Sequence, residues 1–287
     1  MSIFNVFILA IVQGLAELLP VSSSAHVVVV EKLMGLDPSS PPMTLLLVML
    51  HTGTMFAVIA YFWKQWRATY FSSAAAFKAI VVRLVVATVI TGIIGEAIVK
   101  VIEKTVLRGL PHSEIEDLFG HLEFIAPALA AAGVLILIAG LRENRRRGAA
   151  LPDSGEVSLR NAGIIGAVQG LCLPFRGFSR SGATISTGML LGVSKPRAER
   201  FSFALAVVLT PAVVAREALR LAHAPAAPGS LHSVALLSVL GAFLAFIAGL
   251  LALKWLSRWL ESGRWYLFGV YCLVAAVGVA LLHYRGY

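Results

Sequence analysis

The chain has 287 residues, 58% of them hydrophobic and only 14% charged, with a mean hydropathy of +0.84. A water-facing surface needs roughly a quarter of the residues charged, so the net charge of +9 marks a basic membrane protein rather than a nucleic-acid-binding one. Uninterrupted apolar runs such as residues 124–141 exclude a β-barrel, whose strands alternate in polarity.

The first segment, residues 3–30, has no basic residue before Lys32 and is read as part of the mature fold rather than as a secretory signal. It is apolar but interrupted by Gln13, Glu17, Pro20, three serines and His26. Complete spans are predicted at about residues 44–63, 80–99 and 124–141, each near the roughly 20 apolar residues that cross a bilayer. Arg83, at the inner end of the second span, can snorkel to the interface. Residues 103–123 read as a polar outer loop with five acids (Glu103, Glu114, Glu116, Asp117 and Glu123), and residues 148–156 as a short cytoplasmic linker. A second interrupted segment, residues 162–193, contains Gln169, Pro174, Arg176, Ser179, Arg180 and Ser181. Three further spans are predicted at residues 201–221, 233–253 and 265–283. Cys172 and Cys272, 100 residues apart in apolar stretches, read as small core residues.

Helices broken by proline, glycine and polar residues survive at membrane depth only where they line a cavity or are buried in protein. Both interrupted segments are therefore read as re-entrant. The expected fold is an all-α integral membrane protein with six full transmembrane helices and two re-entrant broken-helix segments. Placing residues 142–160, with the Arg145-Arg146-Arg147 triplet, in the cytoplasm leaves 15 of the 24 basic residues inside and 7 outside. That bias holds only if the second broken segment returns to the side from which it enters. Ser113 is then expected outside and Ser154 in the cytoplasm; the rule is silent on the first broken segment, and Ser2 is expected outside from its breaks and from the internal repeat.

A faint internal repeat supports the same arrangement. Gln13-Gly14-Leu15, Pro20 and Ser22-Ser23-Ser24 are answered by Gln169-Gly170-Leu171, Pro174 and Ser179-Arg180-Ser181, and each set precedes three spans. This is the pattern of an inverted-topology repeat, with its site where the broken elements meet. The single membrane domain divides into a first repeat at about residues 1–141, a cytoplasmic linker at about 142–160 and a second repeat at about 161–287.

The polar residues of the broken segments are the candidates for chemistry. Glu17 is costly at membrane depth, about 2.5–3.5 kcal/mol on insertion scales. Gln13 lies one helical turn before it, so the two can offer oxygens to a hard cation such as Mg²⁺ or Ca²⁺. A structural glutamate bonded to a neighbouring helix is the alternative. Ser23 and His26, after Pro20, have the spacing for a nucleophile and its base, or for a helix cap beside a buried histidine. Arg176, Gly177, Ser179, Arg180, Ser181, Gly182 and Thr184 form the most informative stretch. Arginine suits bidentate phosphate or carboxylate binding, and a helix starting near Gly182 would aim N–H groups at the same anion. Arg176 also fits a snorkelling role. No Gly-Lys-Ser/Thr follows, which excludes a nucleotide P-loop. His51 and Thr52 are weaker candidates, and Glu96 reads as ordinary pairing near a span end. These residues describe a polar cavity suited to an anionic, phosphorylated ligand.

The run Gln13-Gly14-Leu15-Ala16-Glu17-Leu18-Leu19-Pro20-Val21-Ser22-Ser23-Ser24-Ala25-His26 and the stretch Gly177 to Thr184 resemble the two signatures of the bacterial undecaprenyl pyrophosphate phosphatases linked to bacitracin resistance. The resemblance extends over essentially the whole chain, including Phe201-Ser202-Phe203-Ala204-Leu205-Ala206-Val207. Three departures stand out. Gln13 replaces a common glutamate, Ala25 a common glycine, and Arg176 the proline that usually precedes Gly177. The resemblance implies hydrolysis of undecaprenyl pyrophosphate to the monophosphate and inorganic phosphate, which recycles the lipid carrier of cell-wall synthesis. It implies dependence on Mg²⁺ or Ca²⁺ held by Glu17 and Gln13, catalysis by Glu17, Ser23, His26 and Arg180, and phosphate binding by Arg176, Ser179, Arg180, Ser181 and Thr184. It also implies a homodimer in the bacterial inner membrane whose partner is a polyprenyl pyrophosphate lipid. A transporter or flippase for prenyl phosphate or another anion is the alternative.

Overall fold

The computed structural model describes residues 2–37, 40–105, 120–148, 156–223, 231–261 and 263–286. Ser113, Glu114, Glu116, Asp117, Ser154 and most of the 148–156 linker lie outside the described residues. Among the described residues there are ten helices and no strand.

The first interrupted segment is two helices, α1 (Ile3–Leu18) and α2 (Ser23–Leu33). Ser2 caps α1 by accepting the Asn5 N–H, and the chain leaves the helix at Leu19, just before Pro20. Ser22 restarts it, capping α2 through the Ala25 N–H, and holds φ at +69° without being glycine. Three long helices follow: α3 (Pro41–Thr69), α4 (Ala74–Thr105) and α5 (Leu122–Gly148). The second interrupted segment is again two helices, α6 (Leu159–Cys172), capped by Ser158, and α7 (Arg180–Leu190), capped by Ser179. The chain then forms α8 (Lys195–His223), α9 (Leu231–Glu261) and α10 (Tyr266–Tyr284).

Helices α3, α4, α5, α9 and α10 each carry a stretch long and apolar enough to cross a membrane. The chain is a multi-pass membrane protein. The sixth expected span falls in α8, which is not among these five and opens with Lys195, Arg197, Glu199 and Arg200.

Packing follows the logic of a lipid solvent, with small residues between helices and large apolar ones outside. Helix α4 buries only Ile80, Ala87, Thr91 and Gly95, a narrow stripe at helical spacing, while Val85, Val89 and Ile93 face outward. The stripe meets α6, where Thr91 Oγ1 donates to the Gly166 carbonyl at 2.9 Å. Helix α1 packs on α9 in the corresponding way. A Cβ at Gly14 would sit 2.5 Å from Ala248 Cβ and 2.8 Å from the Ala245 carbonyl oxygen. A Cβ at Gly170 would sit 2.9 Å from both Ile94 Cβ and the Thr91 carbonyl oxygen. Only glycine allows these close approaches, and each immediately follows the glutamine of its repeat. Helix α5 lies along α10 and α3 along α9. The larger apolar core, with Phe201, Phe203 and Trp265 fully buried, gathers around α5, α7, α8 and α10. Cys172 and Cys272 are buried and unpaired, as small core residues.

Candidate active site

The tips of the two broken segments meet inside this framework. The Gly177 N–H donates to Ser24 Oγ at 3.2 Å, and Ser181 Oγ donates to the Leu19 carbonyl at 3.4 Å. Gly177 holds φ at +101°, and a Cβ there would lie 2.5 Å from the Ile125 carbonyl oxygen. A side chain at this position would be strained and would collide with α5.

Glu17 is the centre of the meeting point. Its Oε1 accepts from Arg180 Nη2 at 2.7 Å across the two repeats. Its Oε2 accepts from Ser23 Oγ at 2.5 Å and from Gln13 Nε2 at 3.1 Å, and lies 3.6 Å from His51 Nε2. Residues 19–22 fold α2 back against α1, so Ser23 faces Glu17 one helix earlier rather than its near neighbour His26. The i, i+4 spacing of Gln13 and Glu17 places them on one face, as the sequence indicates.

His26 is engaged elsewhere. Its Nδ1 lies 2.7 Å from the Ser22 carbonyl and its Nε2 2.6 Å from the Tyr271 hydroxyl. A carbonyl oxygen only accepts, so Nδ1 carries the proton, and in the neutral ring Nε2 accepts from Tyr271. The two rings stack with centroids 5.6 Å apart. Tyr271, on α10, belongs to neither motif.

The second tip supplies the positive charge. Arg180 is the first residue of α7, and its Nη1 is buried with no hydrogen-bond partner. Ser179 Oγ takes the Gly182 N–H at 3.2 Å, so that donor serves the cap rather than a ligand. Thr184 is fully buried, where its Oγ1 bonds the Arg180 carbonyl at 2.8 Å and Ser202 Oγ at 2.6 Å. Ser179, Ser181 and Thr184 thus hold the start of α7 in place, while Arg180 reaches the centre. Arg176, four residues before Arg180, is half-buried. A small cavity beside the centre is lined by Glu17, His51, Thr54, Arg180 and Thr210.

For a hard cation, the Glu17 carboxylate and the Gln13 amide oxygen are the suitable donors. Gln13 Oε1 is buried without a partner, which leaves one acceptor over at the centre. No group of three His, Cys, Asp or Glu converges as a metal cage among the described residues. Glu17 and Gln13 are the residues that could hold such a cation.

Comparison with known proteins decides the family. The profile of the family described as Bacitracin resistance protein BacA matches residues 6–278. The chain belongs to this family. It is 56% identical over 286 residues to a protein of Acinetobacter baylyi named Undecaprenyl-diphosphatase 2, covering 98% of each chain. It is 35% identical over 285 residues to an Undecaprenyl-diphosphatase of Desulfosudis oleivorans, covering 96% of each. It is 34% identical over 288 residues to an Undecaprenyl-diphosphatase of Acidiphilium cryptum, covering 95% of each. Within this BacA-family chain, Tyr271 and His51 are the site residues that lie outside the resembled stretches. His51 carries a sequence signal, a polar ring inside an apolar span, whereas Tyr271 carries none.

Proposed function

We propose that the chain hydrolyses undecaprenyl pyrophosphate to undecaprenyl phosphate and inorganic phosphate. The observation that carries this reading is the Arg180 guanidinium, paired with Glu17 on one side and presenting an unpartnered Nη1 on the other. A fork with one free, buried donor suits a phosphate oxygen, and the names of the relatives supply the substrate. The prenyl chain stays in lipid while the pyrophosphate enters beside Glu17.

Ser23 is the attacking group in this reading. Its hydroxyl donates to the Glu17 carboxylate, whereas both His26 nitrogens are occupied. Oγ bonds to the terminal phosphorus, its proton passes to Glu17, and the bridging P–O bond breaks with the prenyl monophosphate as leaving group. Water then cleaves the phosphoserine and releases inorganic phosphate. Arg180 neutralises charge on the transferring group, the dominant need in phosphoryl transfer. His26, fixed by Ser22 and Tyr271, stands beside Ser23 to orient the substrate or the water. Glu17 and Gln13 would hold Mg²⁺ or Ca²⁺, which when bound supplies further neutralisation of the phosphate oxygens.

The reading extends to six membrane crossings with two re-entrant segments, an inverted repeat, the bacterial inner membrane and a homodimer. The helix pairings support the repeat. Exchanging the two halves turns the α1–α9 contact into α6–α4 and maps α5–α10 and α3–α8 onto themselves. The test of function is phosphate release from a prenyl pyrophosphate by the purified protein in detergent, where no second compartment exists for transport. Wild type should release phosphate, and Arg180→Ala should lose at least the ~10- to 100-fold that one charge-assisted contact commands. A silent wild type that moves prenyl phosphate in vesicles would favour the transporter instead.

A further inference from the structure

Hydrolysis through a phosphoserine leaves one proton without an acceptor. Ser23 gives its proton to Glu17 in the first half of the reaction, so Glu17 enters the second half protonated. It can return that proton to Ser23 Oγ, but it cannot also take one from the attacking water. The water needs a different base, within reach of the same phosphorus. His26 does not offer one, because Ser22 and Tyr271 occupy both its nitrogens. His51 does. It lies on α3, and its Nδ1 is 2.8 Å from the Leu47 carbonyl oxygen. That oxygen only accepts, so in the neutral ring Nδ1 carries the proton and Nε2 keeps a lone pair. Nε2 is 3.6 Å from Glu17 Oε2, too far for a hydrogen bond, whereas Ser23 Oγ is 2.5 Å from the same oxygen. A phosphoryl group on Ser23 would therefore stand close to His51. The cavity beside Glu17 and Arg180 is lined by His51 together with Thr54 and Thr210. Both threonines donate their hydroxyl protons to backbone carbonyls, those of His51 and Ala206, which leaves them no proton to place on His51.

We propose that His51 Nε2 takes the proton of the water that cleaves the Ser23 phosphoserine. This role deepens the enzymatic reading, with Ser23 as nucleophile, and rests on it. The water oxygen bonds to phosphorus as the bond from phosphorus to Ser23 Oγ breaks. One water proton moves to His51 Nε2, and the other stays on the inorganic phosphate. Ser23 Oγ receives the proton held by Glu17, which restores both groups for the next substrate. His51, whose side chain is 43% accessible, then gives its proton to bulk water, so each turnover sets one proton free. Arg180, lining the same cavity, stays on the phosphoryl oxygens through both halves.

The test separates the two halves of the reaction in His51→Gln, which keeps a polar side chain but removes the base. The purified full-length protein in detergent is mixed with undecaprenyl pyrophosphate labelled in its terminal phosphate, then quenched with acid. His51→Gln should form about one undecaprenyl phosphate per site in a rapid first turnover, at a rate within about threefold of wild type. Phosphate release should then run at least about 100-fold slower than in wild type, the loss that removal of a general base commands. Label should accumulate on the protein to nearly one per site, and Ser23→Ala combined with His51→Gln should abolish it. The burst itself reports a folded site, and His51→Asn repeats the measurement with a second side chain. A first turnover slowed as much as the steady state, with both variants unlabelled, would overturn the role. So would phosphate release within about threefold of wild type. A wild type that releases phosphate beside unlabelled variants sinks this role and leaves the enzymatic reading standing. A wild type that releases none sinks both.

Discussion

Tyr271 hydrogen-bonds His26 from 245 positions away in sequence, and its ring stacks on the imidazole. Tyr271→Phe keeps the ring and removes only the hydroxyl donor. A neutral hydrogen bond is worth about 0.5–1.5 kcal/mol, so kcat should fall about two- to tenfold, with little change in Tm. His26→Ala should cost more, and a loss from Tyr271→Phe as large as that from His26→Ala would make the phenol itself a reacting group. Glu17 separates from its neighbours by a different measurement. Glu17→Gln keeps the shape but removes the charge, and should move the Mg²⁺ or Ca²⁺ activation curve to higher concentration besides lowering kcat. Ser23→Ala and His26→Ala should lower kcat at saturating cation without that displacement. Rescue of His26→Ala by excess cation, with Glu17→Gln indifferent to it, would reverse these assignments. The sequence makes Glu17 and Arg180 legible because a charge inside an apolar segment is conspicuous. It does not tell which donor faces which acceptor. Ser23 pairs with Glu17 through the turn at residues 19–22, and Tyr271 joins through tertiary packing alone.

At the scale of elements, the two broken segments are legible from composition, because proline and clustered polar residues cannot continue a lipid-facing helix. Their ends fall where caps allow, at Ser22 and Ser179. What composition does not reveal is the part played by the glycine after each glutamine. Gly14 and Gly170 let α1 and α6 approach α9 and α4 at backbone distance, which sets the depth of Gln13 and Glu17 relative to Arg180. Gly14→Ala puts a methyl 2.5 Å from Ala248 Cβ, so α1 must move away. Gly92, on the exposed face of α4, meets nothing within 4 Å of its added Cβ. Gly92→Ala should therefore raise Tm slightly, in line with a helix-propensity gain of up to about 1 kcal/mol. Gly14→Ala should lower Tm despite the same propensity gain, and should reduce phosphate release with it. Thermal unfolding in detergent compares the two directly, and equal shifts in Tm would remove close packing as the function of Gly14.

For the whole molecule, the order of helices repeats, two short and three long in each half, yet the halves are chemically unequal. The first contributes Glu17, Ser23 and His26. The second has Leu173 four residues after Gln169, where the first has Glu17, and brings Arg180 instead. A site assembled from unlike halves requires both tips to reach the same depth, and an inverted repeat would bring them there from opposite sides. Fifteen basic residues fall on the cytoplasmic side only if α6–α7 enters and leaves from there. With the first segment re-entrant as well, as the repeat implies, the expected topology has α1 beginning outside, Ser2 and Thr105 on the outer surface, and Ser72, between α3 and α4, in the cytoplasm. Single cysteines can be introduced at these exposed positions, since Cys172 and Cys272 are buried and will not compete for a polar thiol reagent. In intact cells with a permeable outer membrane, a membrane-impermeant maleimide should modify Ser2→Cys and Thr105→Cys. It should modify Ser72→Cys only after the inner membrane is opened. Modification of Ser2→Cys from the cytoplasm alone would make the first broken segment a full crossing. Glu17 and Arg180 would then have to meet without an inverted repeat.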